Sequence, residues 1–220
     1  MIYVIGADDY ISHNHFLDQM FRLRARVFKD RLNWDVQVQN GREIDRFDTF
    51  DPLYLTSINE QTGRLQGSLR LLPTTGPNML RDVFGALLPD GEFIESPLIW
   101  ESSRFCIDPD LAAPLDGRLN SVTTELFCGV VEVGLFAGLD TVVSVYDARM
   151  ARIFRRANWA PRSVGLPTYF GGILTHAGMF EISDIARKRL VKAGDRPDPV
   201  IMQLNPSPAL FLNAQMSNHQ

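Results

Sequence analysis

The sequence predicts an α/β fold in which one mixed β-sheet lies between helices. Three observations carry this. Strand-like and helix-like runs alternate along the 220 residues. Two strand runs are neighbours, joined by Gln61-Thr62-Gly63. That is turn chemistry for an antiparallel hairpin, which a doubly wound parallel sheet does not contain. Apolar residues make up 45% of the chain and charged residues 22%, enough for a real core and too ordered a composition for a disordered chain.

These totals also bound the function. The length suits one domain over residues 1–220, with a loose tail expected from about 205. A net charge of −4 gives no global basic field, so neither nucleic acid nor a membrane is expected as a partner. Cys106 and Cys128 form no disulfide framework and read as reduced, buried residues of a cytoplasmic protein. The first residues lack the basic and apolar regions of a signal peptide. The longest apolar run, Phe127 to Leu139, is interrupted by Glu132 and is too short to span a bilayer.

In order, residues 2–5 read as a short strand. Residues 10–28 read as an amphipathic helix, with Leu17, Met20, Phe21, Val27 and Phe28 at helical spacing. Residues 29–51 have little periodicity and read as a long loop, a length that marks function or motion. Strands follow at 54–59 and 64–72, then a helical turn at 79–84 and irregular chain to Pro97. A strand is expected around Ile99 to Asp108. A buried helix is expected over 116–138, capped by Asp116 or Asn120. Then come a β-branched strand at 141–146, a helix at 148–159, and strands at 162–166 and 179–182 flanking Gly171-Gly172. Last are a helix at 183–193 with Ser183 as cap and an extended piece near 200–204.

Several charges break these patterns. Arg24 falls on the apolar stripe of the first helix, Arg70 inside Leu69-Arg70-Leu71-Leu72, and Glu101 and Arg104 beside Trp100 and Phe105. A buried charge needs a partner or loses its charge. Asp45 and Asp48 lie three apart and share one side if their turn is helical. We therefore expect Arg24, Arg70 and Arg104 to meet Asp45, Asp48 and Glu101 in one paired cluster lining a cleft. Strict alternation puts Glu101, Ser103 and Phe105 on one face and Arg104 on the other. One cleft holding both charges requires the strand to bulge or splay near Ser102-Ser103; a straight strand makes Glu101 and Ser103 the acyl-transfer side and leaves Arg104 to brace the loop behind it.

Other chemistry is poorly supported. No Gly-x-Gly-x-x-Gly or phosphate-binding Gly-rich loop is present. His13, His15, His176 and His219 have no metal-ligand spacing, so no metal or cofactor is expected.

At these residues the chain resembles the acyl-homoserine-lactone synthases, the autoinducer synthases of bacterial quorum sensing. The matching residues are Arg24-x-x-x-Phe28, Arg31-Leu32-x-Trp34 and Glu43-x-Asp45-x-Phe47-Asp48. Further on they are Gly67-Ser68-x-Arg70-Leu71, Asp82-x-Phe84 and Trp100-Glu101-x-Ser103-Arg104-Phe105. The resemblance implies a fold similar to the N-acetyltransferases. It also implies a reaction that joins S-adenosylmethionine, as substrate, to an acyl thioester on acyl carrier protein. The products are an N-acyl-homoserine lactone and 5′-methylthioadenosine.

Set against that reaction, Glu101 is the expected base for the amine. Ser103 and backbone N–H groups near Arg104 are the expected oxyanion donors. Arg24 and Arg104 hold the carboxylate or brace the acids, and Phe28 and Trp34 cover adenine or the sulfonium. Phe84, Phe105, Val122, Leu126, Val143, Ser144 and Met150 are the expected acyl-chain pocket, with Ser144 at the third acyl carbon. Arg149, Arg152 and Arg156 are the expected docking face for the acidic carrier. Three alternatives stand beside this reading. They are the same chemistry from acyl-coenzyme A, a coenzyme-A-dependent N-acyltransferase, and a non-catalytic effector-binding module. The N-acyltransferase lacks its pyrophosphate loop here.

Overall fold

The computed structural model describes residues 1–90, 92–111, 119–194 and 199–201. Its strands are β1 (Ile2–Ile5), β2 (Val38–Gln39), β3 (Arg42–Glu43), β4 (Leu53–Asn59), β5 (Arg64–Pro73), β6 (Ile99–Ile107), β7 (Thr141–Asp147), β8 (Arg162–Ser163), β9 (Thr168–Phe170) and β10 (Ile173–Glu181). Its α-helices are α1 (Asn14–Arg24), α2 (Met79–Asp82), α3 (Ser121–Ala137), α4 (Ala148–Arg156) and α5 (Asp184–Gly194).

The main sheet runs β1-β4-β5-β6-β7-β10-β8, with β9 paired to β10. Among the described strand pairs, only β6–β7 is parallel and the others run antiparallel, so the sheet is mixed as expected. Alternation along the strands feeds two cores. Leu53, Leu55, Leu69 and Leu71 face α3 and α5 with Leu126, Phe127, Val130 and Leu190. Tyr54, Ile58 and Leu65 face α1 with Phe16, Leu17, Met20 and Leu23. Each such apolar side chain contributes roughly 1.5–3 kcal/mol on full burial.

Helix α3 is buried around most of its circumference and carries two buried carboxylates. Glu125 accepts from the Met1 ammonium at 2.6 Å and from the Ser57 hydroxyl. Glu132 accepts the backbone N–H groups of Val200 and Ile201. Asn120 caps α3 by accepting from Val122 and Thr123, while Asp116 lies outside the described residues. No helix among the described residues is long and apolar enough to cross a membrane.

Several boundaries differ from the sequence expectation. The first helix starts at Asn14, because Tyr10 follows a short 3-10 turn. It then continues past residue 28 as a π-helical segment, Ala25–Arg31. The segment 29–51 is not a plain loop. It holds the β2–β3 hairpin, turned at Asn40 (φ 53°) and Gly41 (φ 74°), and a 3-10 turn, Arg46–Thr49. Both turn residues sit in the left-handed region, which an Asn-Gly pair occupies at little cost.

Helix α4 stops at Arg156 rather than Trp159, where Asn158 takes φ 55°. The strand expected over 162–166 shrinks to two residues. The strand expected from Met179 begins at Ile173, because Gly171-Gly172 turns β9 back onto β10. Ile201 bridges Ile2 in parallel, while 202–204 and the tail from 205 lie outside the described residues.

Candidate active site

The charges that break the sequence patterns converge on the α1 side of the sheet. Arg24 is 1% exposed and Arg70 0%. Arg24 donates through Nε to Glu43 at 2.6 Å and grips both oxygens of Asp48 at 2.9 Å. Arg70 donates to Asp45 at 2.6 and 3.2 Å, to Asp48 at 2.8 Å and to Ser103 Oγ at 3.1 Å. Arg104 meets Asp45 Oδ2 at 2.7 Å and Glu43 Oε1 at 3.1 Å. Three guanidinium groups thus face three carboxylates, so the buried charge is locally neutral and each ion has hydrogen-bond partners.

The 3-10 turn explains why Asp45 and Asp48 point the same way. Asp45 accepts from the backbone N–H of Phe47, and Asp48 from that of Asp45, in a reciprocal cap. Burial alone would raise the Asp48 carboxyl, but Arg24 and Arg70 outweigh it and hold it below the usual carboxylate range.

The third anion is Glu43, not Glu101. Sequence reasoning placed Glu43 in a loop, yet it is 1% exposed because the β2–β3 hairpin turns it inward. The Asn40-Gly41 pair was the available signal for that hairpin.

Glu101 stands apart from the ion pairs, and its expected partners Arg24, Arg70, Asp45 and Asp48 bond elsewhere. Its carboxylate instead accepts the backbone N–H groups of Met79 at 2.9 Å and Leu80 at 2.6 Å, at the start of α2. Burial pushes its carboxyl above the ordinary glutamate value, against the pull of those N–H groups and of Arg70 and Arg104.

The bulge that a single cleft would require is present, but it lies after Ser103 rather than at Ser102-Ser103. Arg70 pairs with Ser103, but Ser68 pairs with Cys106, so β6 carries one extra residue. Arg104 absorbs it at φ 54°, a left-handed conformation that costs a bulky residue about 1–3 kcal/mol. Its ion pairs with Glu43 and Asp45 offset that cost. The extra residue brings Arg104 to the Glu101 side and turns Phe105 through the sheet onto Phe127, ring centroids 5.4 Å apart. Beside the bulge, β6 and β7 pair only as far as Ser102↔Ser144 and then separate.

That separation opens a cavity of about 660 Å³. Glu101, Ser103, Arg104, Phe28, Trp34 and Phe84 all line it. The π-helical segment carries Phe28 to the wall, where it stacks on Trp34 at 5.1 Å and lies under the Arg104 guanidinium at 5.5 Å. A second, apolar cavity of about 30 Å³ lies on the α3 side, lined by Leu69, Phe127, Val130, Ser144, Phe154, Trp159 and others. Ser102 and Phe105 line both, so these two residues form the partition between the cavities at the splayed strands.

The expected acyl pocket is therefore only partly placed. Phe84 and Phe105 line the larger cavity, and Phe105 and Ser144 the smaller. Val122 and Leu126 point instead at Gly67, where an added Cβ would come within 2.9 Å of Val122. Val143 belongs to the opposite face with Leu80 and Leu87, because neighbouring strand residues alternate. Met150 packs on the main core. Phe127, Phe154, Trp159 and Phe180 were not expected here; as apolar residues on ordinary stripes they carry no signal distinguishing a slot from a core. The Ser144 hydroxyl donates to the Ser102 carbonyl at 2.8 Å, so its donor is engaged by backbone.

Arg149, Arg152, Arg155 and Arg156 are exposed on α4, which starts directly after the cavity-lining Asp147. Cys106 is buried beside Ser68 and its thiol is pushed up to about 11 by burial, which removes it as a thiolate nucleophile.

The Autoinducer synthase family model matches residues 8–190. The chain is similar to the acyl-homoserine-lactone synthase of Agrobacterium fabrum, 41% identical over 178 residues that cover 80% of this chain and 84% of that protein. Among solved structures it is similar to the coenzyme-A-dependent acyl-homoserine lactone synthase BjaI with S-adenosylmethionine and isopentyl-coenzyme A. That match has a TM-score of 0.84 and 28% identity, covering 98% of this chain and 99% of that one. A Lactobacillus plantarum protein assigned as an N-acetyltransferase, 13% identical with a TM-score of 0.54, covers 83% of this chain and 99% of its own; it shares the fold alone.

Proposed function

Because the chain belongs to the autoinducer synthase family, we propose a division of labour among its residues for the reaction of that family. The enzyme transfers an acyl group from a thioester to the amine of S-adenosylmethionine and closes the lactone, releasing 5′-methylthioadenosine. The observation that carries the proposal is Glu101, fixed by two backbone N–H groups at the cavity wall beside Ser103 and Arg104.

Each Glu101 oxygen accepts one N–H and keeps a further acceptor site. The substrate ammonium, with a pKa of about 8, gives its proton to that carboxylate directly or through a water. The freed amine attacks the thioester carbonyl. Ser103 Oγ already accepts from Arg70, so its own proton is available for the oxyanion. The thiolate leaves, taking the second proton of the former ammonium, and the first passes from Glu101 to solvent. The methionine carboxylate then attacks its own γ-carbon and expels methylthioadenosine. Arg104 holds that carboxylate, and the Phe28–Trp34 stack covers the adenosyl sulfonium. S-Adenosylmethionine and acyl thioesters are cytoplasmic metabolites, and we place the enzyme there.

The acyl tail passes Phe105 into the smaller cavity. As it stands, that slot is only about 30 Å³, so a long tail must displace side chains. Val130→Ala widens it. In competition among thioesters of graded length, followed by mass spectrometry of the lactones, the preferred acyl chain lengthens in this variant. An unchanged product spectrum removes the slot from the acyl path.

We propose acyl carrier protein as the donor, docked on the exposed arginines of α4, because an acidic carrier complements that face. Acyl-coenzyme A is the second reading, favoured by the similarity to BjaI. The test measures lactone and methylthioadenosine formed from each thioester. Carrier thioester is expected to be preferred by about tenfold or more, a preference lost at high salt and in Arg152→Glu while a small thioester is still accepted. A preference for acyl-coenzyme A that ignores both changes overturns it.

A further inference from the structure

We propose that Met79 is a positioning residue whose thioether sulfur aims Arg104 at the substrate carboxylate. This inference rests on the assignment of Arg104 to that carboxylate. Met79 begins α2, 9% exposed at the cavity wall. Its backbone N–H holds Glu101. Its sulfur accepts from Arg70 Nη2 at 3.3 Å and from Arg104 Nη1 at 3.4 Å. One side chain therefore joins two of the three cluster guanidinium groups while its backbone fixes the proposed base.

A donor inventory shows why the sulfur matters. Arg70 directs N–H groups at Ser103, Asp45 (twice), Asp48 and Met79, which accounts for all five of its donors. Arg104 uses Nε and Nη2 on Glu43 and Asp45. Its Nη1 makes no hydrogen bond to a carboxylate among the described residues; one Nη1–H goes to Met79, and the second is the one we assign to the substrate carboxylate. A carboxylate in place of the sulfur would compete with the substrate for Arg104 and upset the three-against-three balance. An aliphatic side chain would leave Nη1 without a fixed partner. A thioether is an uncharged, weak acceptor that orients the guanidinium without saturating it.

The test compares Met79→Leu, which keeps the bulk and loses the acceptor, with Met79→Gln, which keeps an acceptor at similar length. Binding of S-adenosylmethionine and of 5′-methylthioadenosine is measured for each, with the melting temperature. The two ligands differ in the amino-acid arm, so an effect routed through Arg104 moves only the first. In Met79→Leu we expect affinity for S-adenosylmethionine to fall about fivefold or more, the scale of one lost hydrogen bond, with methylthioadenosine affinity unchanged. Met79→Gln is expected to restore it to within about twofold of the wild type, a gap within the spread of one such bond. Equal losses for both ligands, or Leu binding like wild type while Gln binds worse, would mean that the sulfur only packs. Arg104→Lys checks the reading beneath it. If that variant leaves S-adenosylmethionine affinity intact, the carboxylate assignment itself fails, whatever Met79 does.

Discussion

Glu101→Gln is expected to lower kcat/KM by about 10²- to 10⁴-fold, the contribution typical of a positioned general base. Shape is nearly conserved. However, the Gln amide presents an N–H₂ to one of the two backbone N–H groups that Glu101 satisfies, a mismatch of about 1–3 kcal/mol in stability. Thermal melting separates that cost from the loss of the base. The pH profile supplies the sharper readout. Burial raises the Glu101 carboxyl above its ordinary value near 4.3. The base form is present above the raised value and is lost as pH falls through it. The acidic limb of kcat/KM in the wild type therefore lies above the ordinary glutamate range, and the variant lacks that limb. Retention of activity within about tenfold, below the usual contribution of such a base, sinks the assignment.

The largest effect on stability is expected from Glu43→Gln. This removes one anion from a neutral buried set and leaves Arg24 and Arg104 facing too little negative charge. Breaking one partner of a buried ion pair costs about 3–5 kcal/mol. For a chain of this size that lowers the melting temperature by about 6–20 °C. Added salt does not rescue the loss, because buried pairs are poorly screened. Adding Arg104→Leu removes an uncompensated charge, so the double variant melts higher than the sum of the single losses predicts.

The acid side has a definite sign. Asp48 is held below its unfolded value, so its contribution is complete above about pH 4 and is lost as pH falls through the lowered folded value. A Glu43→Gln variant melting within a degree or two of wild type would mean that the cluster contributes little to the fold.

Much of this site was legible before the fold was known. Arg24 on an apolar helical stripe and Arg70 inside an apolar strand announce burial, because periodicity fixes which face each residue takes. Asp45 and Asp48 at a spacing of three announce a shared direction once their turn is helical. Local geometry gave the bulge only as a condition: Glu101 and Arg104 share one side if β6 gains a residue, and the structure sets that residue between its pairs with Arg70 and Ser68. The mixed sheet followed from the Gln61-Thr62-Gly63 hairpin and the alternation around it.

What the sequence determined by itself is therefore the local layer: which segments are strands or helices, and which charges stand where apolar residues belong. The tertiary structure alone decided the pairings. Glu43 rather than Glu101 completes the neutral set, since Arg104 and Glu43 are distant in sequence and meet only when the β2–β3 hairpin packs against α1 and turns Glu43 inward. Glu101 went instead to the N–H groups of Met79 and Leu80, which are orphan donors only because α2 starts there. The slot of Phe127, Phe154 and Trp159 likewise exists only because β6 and β7 part after Ser102 and Ser144. Periodicity is a property of neighbours along the chain. Charge pairing and cavity shape depend on distances of a few ångströms between segments far apart in sequence, which no local pattern encodes.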